Sequence, residues 1–304
     1  MFNMVLAATD MRKRCDPAVQ TAIEIAKQNY GEFYILHVLA DTPKTLQQVG
    51  KRDNAEHEII SDTDYNELIK KDIESKWSGD YKPCSKYEIK ISTGLPWREI
   101  VKWARKKRSD LIVLGPHDEK DKQEIAAGPI RTAIGSTIEG VVMREPSPVM
   151  IVNRLMSGGK LDFKNVIVSV DFSRSCSIAL RFAIKLAQER RSNLFIFHML
   201  PVPPSTEYSQ ADYKRDLRIA EQKLETFCKD IPDKIDFEYK VRGGALPYLE
   251  ILEYAERKAA DLIVMGSHTK ERNGKWYVGS AVERVSCRSL CPVIVVSDPV
   301  ALRN

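Results

Sequence analysis

The sequence lacks any apolar run long enough to cross a bilayer. Its longest apolar runs, such as Leu111–Leu114, have the length of a strand, whereas a transmembrane helix needs about 20 apolar residues. The apolar stretch at the N-terminus is too short for a signal peptide, and its flanks are wrong for one. These absences exclude a membrane-spanning protein and predict a cytoplasmic protein with no membrane partner.

Cysteine is scarce as well. The six cysteines are scattered over 304 residues, which is unlike a secreted disulfide scaffold, so reduced thiols are expected. Cys287 and Cys291 lie four positions apart near the last predicted helix, and packing is their expected role. No local Cys/His spacing requires a metal site, so no metal ligand is predicted.

A strong charge of one sign is missing too. The formal net charge is only +5, with both signs interspersed, so nucleic acid is not an expected partner. The densest basic cluster, Arg-Lys-Lys-Arg at 105–108, falls at the end of a predicted helix, where cations offset the helix dipole.

The common catalytic sequence motifs are absent. There is no G-x-x-x-x-G-K-[ST] phosphate loop, no G-x-G-x-x-G after the first strand and no G-x-S-x-G nucleophile elbow. No catalytic residue is therefore predicted, and a binding or regulatory protein is favoured over a metabolic enzyme.

What the sequence does contain is a long internal repeat. Residues 5–10 match 166–171, and 22–27 match 183–188, both at a separation of 161 positions. Residues 110–115 match 261–266 at a separation of 151, and 148–152 match 292–296 at a separation of 144. Two deletions in the second copy explain the changing separation. A repeat of this length indicates a duplicated domain rather than a solenoid.

Each copy alternates short apolar, β-branched runs with stretches of helical spacing, a pattern typical of a parallel sheet covered on both faces. The predicted strands are 4–9, 33–39, 86–92, 110–114 and 148–153, then 164–170, 193–199, 235–241, 261–265 and 292–297. The predicted helices of the first half are 15–29, 56–77, 96–108 and 135–145. The fold class is thus α/β, with two tandem, doubly wound, five-stranded parallel sheets.

The domain boundaries follow from the repeat. Residues 1–154 form the first domain, 155–162 a linker that contains Ser-Gly-Gly, and 163–304 the second domain. The polar segment 42–66 is predicted to be a mobile cover over the first site.

The duplicated polar residues gather where a doubly wound sheet binds its ligands, beyond the carboxyl ends of the strands. Asp10 and Asp171 follow the first strand of each half, and Gly115 and Gly266 follow the fourth. The segment after Gly266 is polar and opens into a helix at Gly279-Ser280-Ala281. Because helix N-termini bind anions, phosphate is the expected guest.

Structural roles compete with these binding roles. Gly279-Ser280 can simply cap the last helix, and Asp10 and Asp171 can cap a helix or bond a turn. His37 and His198 lie in apolar strands, where a satisfied core histidine is more common than a ligand. His117 and His268 follow the fourth strands, where a contact to ribose or phosphate is equally open.

On these residues the whole chain resembles a tandem universal stress protein, each half being similar to that family's domain from end to end. Nucleotide-binding members carry Gly-x-x-Gly, nine residues and then Gly-Ser or Gly-Thr. Gly266, Thr269 and Gly279-Ser280 keep that spacing with threonine at the middle position. In the first half the middle position is Asp118, and seven extra residues precede Gly135-Ser136.

The resemblance implies two related sheets of the adenine nucleotide alpha hydrolase-like, Rossmann-like type, joined across a pseudo-twofold by their last strands, at 149–153 and 293–297. It also implies an ATP pocket in the second half, with Mg²⁺ only when ATP is bound. The implied pocket residues are Asp171, Met199, Met265, Gly266, His268, Thr269, Gly279, Ser280 and Ala281. A weaker first-half set is Asp10, Val38, Gly115, Gly135 and Ser136.

The expected function is therefore that of a stress or regulatory protein with a nucleotide as its small-molecule partner. Two alternatives stay open, namely a slow ATPase that uses Asp171 and His268, and a protein that acts through protein contacts or a hydrophobic ligand. Association of two chains into a four-domain homodimer is a further expectation.

Overall fold

A computed structural model describes residues 1–39, 62–116, 134–154, 161–204, 207–267, 270–272 and 275–297. The predicted linker therefore lies mostly outside the described residues, and so does the predicted cover apart from 62–66. His117, Asp118, His268 and Thr269 are also outside them.

The first half alternates strands and helices as the apolar pattern predicts. Its elements are β1 (Met4–Thr9), a 3₁₀ turn (Lys13–Cys15), α1 (Asp16–Gln28), β2 (Glu32–Leu39), α2 (Asp62–Tyr81), β3 (Lys86–Thr93), α3 (Pro96–Lys107), β4 (Leu111–Leu114), α4 (Ser136–Val142) and β5 (Val149–Ile151). Proline at the first position of α3 suits a helix start, since its missing N–H would have no helical acceptor there.

The second half repeats this order and adds one hairpin. Its elements are β6 (Asn165–Ser169), α5 (Arg174–Arg190), β7 (Asn193–Pro201), α6 (Gln210–Cys228), β8 (Phe237–Gly244), α7 (Pro247–Arg257), β9 (Leu262–Gly266), β10 (Lys270–Arg272), β11 (Lys275–Tyr277), α8 (Ser280–Arg288) and β12 (Val293–Val296). The antiparallel pair β10–β11 lies in a segment for which the sequence predicted only a polar loop. Asn273-Gly274 stands between its strands, and Asn-Gly is a favoured two-residue hairpin connection.

Ten strands, all except β10 and β11, form one sheet in the order β3-β2-β1-β4-β5-β12-β9-β6-β7-β8. Within each half all neighbours are parallel, as predicted. The two halves meet where β5 and β12 run antiparallel, with Met150 opposite Ile294. The two predicted five-stranded sheets are therefore continuous across a seam formed by their last strands.

Because successive strand residues point to opposite faces, the sheet carries two cores that both extend through the seam. One core lies under α1, α2, α5 and α6 and includes Met150 and Ile294. The other lies under α3, α4, α7 and α8 and includes Val149 and Val293. Each core is thus shared by both halves of the chain.

Hydrogen bonds across the seam repeat with pseudo-twofold symmetry. The Asn153 side-chain amide donates to the Ser286 carbonyl at 2.6 Å, and the Ser297 hydroxyl donates to the Val142 carbonyl at 2.8 Å. Asn153 and Ser297 are equivalent in the repeat, as are Val142 and Ser286. The pairing of β5 with β12 therefore covers one sheet edge of each half, and neither of these two edges is left exposed.

Candidate functional site

The candidate site lies at the carboxyl ends of β6 and β9, which are neighbours in the sheet. From β6 the chain continues to β7 on one side, whereas β9 leads to β12 on the other. Such a reversal of strand order opens a crevice at the carboxyl edge. Ser169 pairs with Met265, so Asp171 and Gly266 follow at the same edge. The first half has the equivalent reversal between β1 and β4.

The turn after the first strand has the same construction in both halves. The Asp171 carboxylate accepts a hydrogen bond from the Ser173 N–H at 2.9 Å, and the Asp10 carboxylate accepts one from the Arg12 N–H at 2.9 Å. The residues after these aspartates, Phe172 and Met11, have left-handed backbones with φ of 66° and 65°. Non-glycine residues in that region cost about 1–3 kcal/mol. The aspartates therefore bond a strained turn, the structural role that the sequence left open for them.

Gly266 and Gly115 are required by close backbone contacts. A Cβ on Gly266 would stand 2.5 Å from the Ser175 carbonyl carbon and 2.6 Å from the Cys176 nitrogen. A Cβ on Gly115 would stand 2.9 Å from the Cys15 Cα. Each glycine thus lets the start of the helix that follows the first strand, α5 or α1, rest on the end of the fourth strand.

Beneath each glycine lies a buried thiol that the sequence reasoning missed. Cys15 and Cys176 are 161 positions apart, so the repeat separation itself could have paired them. The Cys176 thiol donates to the Ser169 carbonyl at 3.6 Å. Burial, with a smaller contribution from the neighbouring Asp171, raises the pKa of Cys176 to about 12, and Cys15 beside Asp10 has the same pKa of about 12 for the same reasons. These thiols are packing groups and poor nucleophiles.

The strand histidines have backbone partners, as expected of core histidines. His198 Nδ1 lies 2.8 Å from the Val170 carbonyl, and His37 Nδ1 lies 2.9 Å from the Thr9 carbonyl. A carbonyl only accepts, so Nδ1 carries the proton. Burial lowers the pKa of both imidazoles. The His198 ring packs on Phe172 at 4.4 Å between centroids, on the α5 side of the sheet.

The apolar residues implied for the nucleotide pocket lie on the opposite face. Met199 and Met265 belong to the core under α7 and α8, and Ala281 packs against that core. Val38 has the equivalent place in the first half. The structure therefore brings Met199, Met265 and Ala281 into one cluster and directs His198 away from it.

Glycine occupies the cap position of α8 and of α4. Gly279 precedes α8 with φ −51°, and Gly135 precedes α4 with φ 80°. Ser280 and Ser136 are the first helical residues, and neither cap position has a side-chain hydrogen bond. Since a crossover helix begins at the carboxyl edge of a parallel sheet, the first N–H groups of α8 lie at the edge that holds Gly266.

Over the described ranges, no group of three or more His, Cys, Asp or Glu residues could hold a metal ion. None of the helices described has the length and apolarity to cross a bilayer.

Comparison with known proteins gives consistent matches for both halves. The family model described as the universal stress protein family matches residues 1–153 and 162–297. A universal stress protein of Methanocaldococcus jannaschii is 31% identical over 157 residues, covering 49% of this chain and 91% of its own. The universal stress protein YxiE of Bacillus subtilis is 29% identical over 150 residues, covering 44% of this chain and 99% of its own.

Solved structures match the whole chain. A universal stress protein from Archaeoglobus fulgidus DSM 4304 superimposes with a TM-score of 0.66 at 21% identity, covering 97% of each chain. This likeness extends over both halves and the seam between them.

Proposed function

Because the chain belongs to the universal stress protein family, we propose that it is a stress-response or regulatory protein whose second half binds an adenine nucleotide. ATP would lie at the carboxyl edge of β6, β7 and β9 with its phosphates at the start of α8. The observation that carries this proposal is the uncapped glycine start of α8 at Gly279. Helix N-termini with unpaired N–H groups attract phosphate.

The second half is favoured over the first for two reasons. Its segment from Gly266 to Gly279-Ser280 keeps the family's spacing, whereas the first half has seven extra residues with Asp118 at the middle position. A carboxylate near a phosphate path is repulsive by about 1 kcal/mol in water and by more where water is excluded. In addition, α8 has 9 residues and α4 only 7, so the dipole of α8 has more peptide units.

The proposed contacts assign each part of ATP to residues at the carboxyl edge of the sheet. Met199 and Met265 would form the apolar wall for the adenine, and Asp171 would lie near the ribose. The phosphates would bind the Ser280 hydroxyl and the backbone N–H groups of Ser280 and Ala281, next to Gly266 and Gly279. His268 and Thr269 would border the phosphates. Mg²⁺ would enter with ATP, whose phosphate oxygens are its preferred ligands.

Slow turnover is expected of such a site. The Asp171 carboxylate accepts a hydrogen bond from the Ser173 N–H, and His198 faces the opposite side of the sheet, where its Nδ1–H donates to the Val170 carbonyl. General-base catalysis requires a group within hydrogen-bond reach of the attacking water. We therefore propose that the nucleotide acts as a bound signal that alters the surface offered to partners.

A matched pair of serine variants tests the proposal. Ser280→Val and Ser136→Val change the equivalent exposed first residues of α8 and α4. Isothermal titration with Mg·ATP should give one site per chain in the wild-type protein. Ser280→Val should weaken that site about tenfold or more through loss of a charge-assisted contact, and Ser136→Val should leave it unchanged.

A second variant tests whether nucleotide binding can be blocked while the protein still folds. Gly279 has φ −51°, a value that valine adopts, so Gly279→Val should fold and abolish the heat of binding. No heat at millimolar nucleotide, or a loss caused by Ser136→Val, would contradict the proposal. Turnover of ATP that falls in Asp171→Asn would assign the slow ATPase instead.

A further inference from the structure

An open groove separates α5 from α6 on the outer side of the second half. Its volume is ≈ 860 Å³, within the range of pockets that bind small molecules. The floor is apolar and includes Phe172, Leu180, Ile184, Phe227 and Ile231. The groove lies on the α5 face of the sheet, away from Met199 and Met265.

The first-half helix α2, which corresponds to α6, carries larger buried side chains. The buried stripe of α2 is Ile73, Trp77 and Tyr81, at intervals of four residues. The buried stripe of α6 has the same intervals but consists of Ala220, Leu224 and Cys228. Each of these three positions therefore carries a smaller side chain in the second half, while the groove beside them is lined by Lys223, Thr226 and Phe227 of α6.

The charged residues along the groove also differ from those at the corresponding positions of the first half. In the first half Lys76 of α2 pairs with Asp16 of α1 at 2.6 Å. Lys223 precedes the buried Leu224 as Lys76 precedes the buried Trp77, and Ser177 lies 161 positions after Asp16. Both Lys223 and Ser177 line the groove. The cation is therefore retained and its acid lost. Lys223 now lies over the Phe172 ring at 4.3 Å.

Two further positions of α5 also carry more positive charge than their counterparts in α1. Gln20 and Glu24 of α1 correspond to Arg181 and Lys185 of α5, which also line the groove. Among the described residues, no ion pair involves Arg181, Lys185 or Lys223. Asp230 is the one acid in the lining. An apolar floor beneath three cations is complementary to a molecule with an apolar body and an anionic head.

We propose that the groove between α5 and α6 binds a small amphipathic anion, namely an alkyl or aryl chain that ends in one acidic group. The acidic group lies between Lys223 and Arg181, and the chain lies along Ile184 and Phe227. This site is separate from the nucleotide site and does not depend on it.

Titration calorimetry with dodecanoate below its micellar concentration tests the proposal, with dodecanol as the uncharged probe. One dodecanoate should bind per chain, and dodecanol should bind about tenfold or more weakly because it lacks the charge. The triple variant Ser177→Asp, Arg181→Gln, Lys185→Glu carries the first-half residues at exposed or half-buried positions. It should weaken dodecanoate binding about tenfold or more.

The matched control is Lys214→Glu with Arg218→Gln, a pair of exposed α6 positions outside the groove lining, which should leave dodecanoate affinity unchanged. Gly279→Val should also leave it unchanged, so the two proposals fail independently. Absence of saturable dodecanoate binding would overturn the proposal, as would equal affinity for dodecanol. Binding to anionic phosphatidylglycerol vesicles without binding of dissolved dodecanoate would assign the groove to a membrane surface and overturn it as well.

Discussion

Replacing Gly266 with alanine tests whether the end of β9 must touch the start of α5. The added Cβ would lie 2.5–2.7 Å from three backbone atoms, the Ser175 carbonyl carbon and oxygen and the Cys176 nitrogen. Such distances fall well inside van der Waals contact, and backbone atoms cannot rotate away. The start of α5 must therefore shift, and overpacking of this kind costs about 1–3 kcal/mol.

Two other glycines provide graded controls for this change. A Cβ on Gly115 would approach the Cys15 Cα at 2.9 Å and its Sγ at 3.2 Å, so Gly115→Ala should destabilise the protein less. A Cβ on Gly79, within α2, would have no heavy atom within 4 Å. Gly79→Ala should stabilise the protein by about 0.5–1 kcal/mol, because alanine loses less entropy in a helix.

The assay is urea unfolding followed by far-ultraviolet circular dichroism, with all four proteins at one concentration. The expected order of midpoints is Gly79→Ala, wild type, Gly115→Ala and Gly266→Ala, from highest to lowest. A Gly266→Ala midpoint equal to that of the wild type would refute the close approach of β9 and α5 and, with it, the argument for glycine at that position.

Two further predictions concern titratable groups. Iodoacetamide at pH 8 should label half-buried Cys287 first. Cys15 and Cys176, with pKa values of about 12, should react only after unfolding. Peptide mass spectrometry that finds Cys176 labelled as fast as Cys287 would contradict this. Because burial lowers the pKa of His198 in the folded state, the unfolded state binds more protons below about pH 6.5. This imidazole should therefore reduce stability as the pH falls through about 6.5 and have no effect above it. Its NMR titration midpoint should lie below 6.5, and a midpoint above that value would be inconsistent with the buried, neutral ring.

The strands could be predicted because buried parallel strands are continuous apolar runs, and 111–114 and 262–265 are such runs in both copies. The pairing of β5 with β12 came from the family resemblance alone, since nothing in a strand of three apolar residues names its partner. The hairpin β10–β11 was missed although the sequence between its strands is Asn-Gly, a pair typical of two-residue hairpin loops. Because the residues around that pair are mostly polar, the sequence showed no apolar pattern that would predict the two short strands.

The candidate site was predicted in part. Gly266 was assigned to a ligand, and the structure gives it a structural role that sequence spacing does not reveal, because that role depends on how closely α5 approaches β9. For Asp171 the sequence left a turn role open beside the ligand role, and the structure shows the turn bond to Ser173. The groove beside α6 was missed for a related reason. Lining residues such as Ile184 and Phe227 are visible in the sequence, but the space between them depends on which helix lies opposite.

The antiparallel seam also affects how the chain is made. Strand β5 is synthesised about 140 residues before the β12 strand with which it pairs, so the first half emerges from the ribosome with one flank of its sheet unprotected. On a polysome, the β5 strands of neighbouring nascent chains could dock with each other in the same antiparallel manner. The covalent tether raises the local concentration of the correct partner, and tandem fusion thereby replaces a bimolecular assembly step with an intramolecular one.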